Sequence, residues 1–167
     1  MRVYLPATVP DLRVLLDTGS LGDPPVPAYA VTPALREWYA DGSQEELEYA
    51  AMALAARASV RLLDPALVVD PSTPARRVVV VAEVERAEPV PHVDRAAVRV
   101  LDAVPLRRVQ AVHVDDPAAE PDVRAAAESV VAADLGSDDA AFVVEQADGH
   151  ELQWYATQEI GALLELG

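Results

Sequence analysis

The sequence predicts an α+β fold, a single globular domain over residues 1–167 with a mixed sheet of about five or six strands. Helices pack on that sheet around a central buried helix at 43–63. Three observations carry the prediction. The stretch SQEELEYAAMALAARASVRLL is apolar almost all round, as a helix buried between two layers is. The run Val78–Val81 is unbroken and β-branched, the pattern of a strand covered on both faces. Helical segments separate the early strands while the middle strands follow one another directly, which implies a mixed sheet.

Taken in order, Arg2 to Leu5 alternates polar and apolar residues and reads as the first strand. Thr8 caps a short helix whose Val9, Leu12, Leu15 and Leu16 share a face, with Gly19 just past its end. GSLGDPPVP is a surface loop, because Pro24, Pro25 and Pro27 propagate neither regular structure. Ala28 to Val31 is a short strand, and Thr32-Pro33 opens a helix with Leu35, Trp38 and Tyr39 on its apolar side.

Ser43 followed by Glu46 is a capping box at the start of the central helix. Two apolar stripes follow, one through Leu47, Ala51, Leu54, Ala58 and Leu62, the other through Tyr49, Met52, Ala53, Ala56, Val60 and Leu63. Both are expected in the core. Asp64-Pro65 ends the helix, and PALVVDPSTPA and EPVPHVD are loops on either side of the Val78–Val81 strand.

AAVRVLDAV and Gln110 to Val114 are strands joined by a turn at Pro105 to Val109. A helix then runs from Asp115-Asp116-Pro117 to Leu135, stopped by Gly136. Residues 138–147 suit either a helix or a strand. Leu152 to Ala156 is a final strand, and Thr157 caps the last helix through Ile160, Leu163 and Leu164.

Composition narrows the function classes. The formal charge is −15, carried by 28 acidic residues against 13 basic ones. Such a surface repels nucleic acid and anionic membranes and favours basic partners. No apolar run approaches the roughly 18 residues that cross a bilayer, and MRVYLPATVP lacks the basic region and long apolar core of a secretory signal. Cysteine is absent, which removes disulfides and thiolate metal sites and suits a cytoplasm. Lysine and asparagine, whose codons are AT-rich, are absent too, so the bias points to a GC-rich bacterial genome.

Three stretches, RVYLPAT, YAVTPALREWYA with EELEYAA, and HELQWYATQE, carry a resemblance over nearly the whole chain. It resembles a family of small actinomycete hypothetical proteins. The resemblance implies a single intracellular domain and carries no activity.

The candidate sites are few. An aromatic strand end followed by a threonine-capped helix recurs as Tyr4 with Thr8, Tyr29 with Thr32, and Trp154 with Thr157. If those strands ran parallel, three helix N-termini would meet at one sheet edge and favour an anion, with Arg36, Arg57 and Arg61 as charged contacts. None of the three turns has the glycines that let backbone approach a phosphate. Trp38-Tyr39 and Trp154-Tyr155 read as core pairs that would serve as hot spots for a protein partner if exposed.

His92-Val93-Asp94 and His113-Val114-Asp115 share an H-x-D pattern, too few ligands for a divalent site. No metal or cofactor is expected. No triad, P-loop or nucleophile elbow is found. Arg57 and Arg61, one turn apart, repel each other and call for something acidic between them, an internal carboxylate such as Asp41 or Asp64 or a bound anion. The sequence therefore points to a small acidic cytoplasmic interaction or regulatory protein without catalysis. The alternative is a binder or enzyme for a small anion, and the oligomeric state stays open.

Overall fold

A computed structural model describes residues 1–166. The sheet has seven strands. In chain order they are β1 (Arg2–Ala7), β3 (Val26–Tyr29), β4 (Val78–Glu83), β5 (Ala87–Pro89), β6 (Ala97–Val100), β8 (Val109–Asp115) and β9 (Leu152–Ala156). In space they stand in the order β5-β6-β3-β1-β4-β8-β9. Every neighbouring pair is antiparallel. The α+β class holds. The sheet is larger than the sequence suggests and wholly antiparallel where a mixed one was expected. A separate ribbon pairs β2 (Ser20–Leu21) with β7 (Val104–Pro105).

Strand alternation divides the core between two layers. Val3, Leu5, Val78, Val80, Val112 and Val114 face one side, against Leu12 and Leu15 of α1 (Val9–Thr18) and Ile160 and Leu163 of α6 (Ile160–Leu166). Tyr4, Val79 and Val81 face the other, beneath α2 (Pro33–Trp38) and α3 (Gln44–Val69). Every residue from Val78 to Ala82 is buried, so β4 is covered on both faces as its composition predicts.

The helix α3 crosses β1, β3 and β4, and it is central as predicted. Ser43 accepts the N–H of Glu46 at its start. It runs past Pro65 to Val69, where a loop was expected. Proline removes one donor from the ladder, and the turns on either side carry the helix through. Asp70 closes it, with its N–H on Ala66 and its carboxylate holding Ser72.

The two expected core stripes are not both buried along the whole length. Tyr49, Ala53 and Leu62 lie exposed, and burial follows Leu47, Ala51, Ala55, Ser59 and Leu63. A step of four residues turns about 40° more than a full revolution, so this line winds roughly 160° round the helix. Leu47, Ala51 and Ala55 consequently face the sheet. Val60 and Leu63 face Val123, Ala127 and Val130 of α4 (Glu120–Asp134). Residues 138–147, open between helix and strand, form α5 (Asp138–Asp148) packed on α4.

Candidate functional site

A groove of about 1050 Å³ lies over the exposed side of α3. Residues from α2 and the 93–95 loop line it, as do those from α3, the His113 position of β8 and the stretch from Asp148 to Trp154.

At the α2 side, Thr32 accepts the N–H of Leu35 and donates to the carbonyl of Arg95, tying the loop to the helix start. Leu35 is buried, and the helix ends at Trp38, so Trp38 and Tyr39 project outward. The Arg95 guanidinium sits 3.6 Å from the centroid of the Trp38 ring, a cation–π stack. At the opposite side, β9 carries Trp154 opposite His113 on the groove face. Tyr155 falls on the other face, half-buried against the α1–α6 core, with its hydroxyl on Gln153. Strand alternation thus separates the Trp154-Tyr155 pair. Trp38 is 59% exposed, Trp154 60% and Tyr49 67%, and Tyr39 is exposed as well.

Each groove arginine on α3 ends on a carboxylate of the hairpin behind it. Arg57 reaches Asp148 at 2.7 Å, and Arg61 makes a two-pronged contact with Asp134 at 2.9 and 3.0 Å. The need for acidic partners was legible in the sequence, but their identity was not. The partners are Asp148 and Asp134, not Asp41 or Asp64. The hydrogen bond from Arg61 holds the Asp134 carboxyl below its usual range.

At the groove wall, Arg77 and Asp115 form a buried ion pair. Asp115 accepts from the Arg77 backbone N–H, Nε and Nη2, each at 2.8 Å. Arg77 Nη2 also donates to the carbonyl of His150. Asp115-Asp116-Pro117 reads in the sequence as a helix entry, and only Asp116 has that role, accepting the N–H of Ala118. The signal for Asp115 was its two-residue offset from His113, which sets both on one strand face. His113 is half-buried, and desolvation lowers its pKa. Burial likewise raises the pKa of Tyr29, beneath the groove.

The three threonines do not gather. Thr8 closes a reciprocal capping box with Asp11. Thr157 is not the cap that the sequence suggests: it lies inside a 3-10 turn, Thr157–Glu159, ahead of α6, and its hydroxyl donates to the carbonyl of Val109. Because β1 runs antiparallel to both β3 and β9, Thr8 leaves the sheet at the end opposite Thr32 and Thr157. The β3 and β9 strands are four spacings apart, roughly 19 Å. Arg36 bonds Gln44 and stands outside the groove.

Ser59 is fully buried, donating to the Ala7 carbonyl and accepting the Val78 N–H, so it ties helix to sheet. Among the described residues, no three His, Asp or Glu side chains converge as metal ligands, and no helix is long and apolar enough to cross a membrane.

Fold and groove together define an antiparallel α+β protein with an open, aromatic-rimmed groove whose arginines are mostly paired internally. The chain matches the family of unknown function DUF6912 over residues 1–164 and belongs to it. No curated protein and no solved structure matches it.

Proposed function

We propose that this protein is a non-catalytic interaction protein that holds a protein partner in the groove over α3. One observation carries the reading. The chain has two Trp, five Tyr and one Phe, and both Trp and two of the Tyr stand exposed round that single groove. Exposed aromatic anchors gathered in one place are what protein interfaces concentrate their binding energy on. The anionic-ligand alternative draws less support, because Arg57, Arg61 and Arg77 are already neutralised by Asp148, Asp134 and Asp115. The absence of Lys, Asn and Cys supports an origin in the cytoplasm of a GC-rich actinomycete.

The test compares wild type with the double variant Trp38→Ala, Trp154→Ala, after circular dichroism has shown the variant folded. A partner recovered with the native protein from its own cells is purified and titrated against both by calorimetry. Loss of about thirtyfold or more in affinity is the hot-spot signature. Equal affinity for both proteins overturns the reading.

A further inference from the structure

The two edges of the sheet are unlike. The β5 edge is three residues long, ends in Pro89, and has Glu88 tied to Arg99 at 2.9 Å. Short, charged and proline-bearing, it is protected against pairing. The β9 edge has five residues, LQWYA, with neither proline nor charge. All five pair in register with β8, and among the described residues no other strand pairs with β9. The backbone groups of alternate residues on such a strand face away from its one neighbour.

Carboxylates gather round this open edge. Asp116 accepts from Gln153, Glu159 from the N–H of Ala156, and Asp122 contacts His150 at 2.7 Å. Glu151 is exposed immediately before the strand. Among the described residues, none of these four carboxylates is paired with an arginine. Trp154 stands exposed on the groove side of β9. At the far side of the groove Trp38 already carries a guanidinium, that of Arg95. Trp154 carries none among the described residues.

We propose that β9 is a docking edge for an extended basic segment of a partner protein. The segment adds as an eighth strand and lays an arginine or lysine on the Trp154 ring. This rests on the groove reading and names the partner's chemistry. Charge selects the occupant. A second copy would bring another −15 chain with the same acidic rim, whereas a basic strand meets carboxylates on both sides of Trp154.

The probes are two capped heptapeptides, one alternating arginine with valine and one alternating glutamate with valine. The arginine peptide is also made with N-methyl groups on alternate backbone nitrogens, in each of the two phases. The arginine peptide is expected to bind at least about tenfold more tightly than the glutamate peptide, and to lose about tenfold with Trp154→Ala. N-methylation in one phase abolishes binding and in the other is tolerated, because only one phase of a strand faces its neighbour. Amide exchange at alternate β9 residues slows when the peptide is bound.

Equal binding of the two peptides overturns the proposal, as does indifference to Trp154→Ala. So does a dimer, seen by sedimentation, that protects the β9 amides. If both methylation phases act alike while Trp38→Ala and Trp154→Ala each weaken binding, edge pairing is refuted and the groove reading survives.

Discussion

Asp115 shows what a single buried charge requires. Its carboxylate is wholly removed from solvent and is matched by three N–H donors of Arg77. Removing one partner strands the other, so Asp115→Ala is expected to cost about 3–5 kcal/mol in urea unfolding. Arg57→Met breaks an exposed pair with Asp148 and is expected to cost less than about 1 kcal/mol. Similar costs at the two sites would show the Arg77 pair to be ordinary.

His113 gives the pH counterpart. Burial lowers its folded pKa, so in the window below about 6.5 the unfolded chain binds the proton more readily. The stability from neutral His113 is complete above that window and is lost as the pH falls through the folded value. His113→Asn should flatten the melting temperature between about pH 7 and pH 5 relative to wild type. An unchanged slope would assign the titration to another group. Neither residue was legible in its role, because sequence shows that Asp115 and His113 share a strand face but not which arginine comes to meet it.

Among the elements, α3 was the most legible and also the most instructive in its detail. Its capping serine, its acidic first turn and its apolar content all place a helix after Gly42, and the structure agrees. The apparent two-sided girdle is one buried line that winds from the sheet to α4. A sequence wheel overlays turns that lie in different surroundings, so it shows these as simultaneous. Leu63→Ala, at the α4 contact, is expected to cost about 2–5 kcal/mol. Ala53→Ser, on the exposed side, should change stability by less than about 0.5 kcal/mol. A large loss at Ala53 would restore the picture of a helix buried all round. The strand direction was not legible, since antiparallel and parallel pairing depend on partners far away in the chain. Val78–Val81 declared its double burial but not its neighbours.

For the whole molecule, charge and topology are the governing facts. A net charge of −15 repels itself within one small fold. Raising the ionic strength from about 0.01 M to about 0.15 M shortens the screening length from about 30 Å to about 8 Å. The melting temperature is expected to rise over that range, since relief of repulsion outweighs the weakening of exposed ion pairs. A flat or falling curve in a calorimetric salt series would place the surface pairs in control.

Topology has a consequence for a chain made from one end. The first strand lies in the middle of the sheet, between β3 and β4. When β3 leaves the ribosome, β1 is waiting for it, and β4 then finds the other flank of β1 still open. The β6 strand joins β3, β8 joins β4, and β9 joins β8, while β5 waits only for the β6 strand that follows it. This topology permits growth outward from the centre nearly in the order of synthesis, β5 excepted, and among the described residues no strand has to be threaded between two already paired with each other. Among the described residues, the strand made last, β9, takes one margin of the sheet, while the other margin falls to β5, made before the β6 strand it leans on.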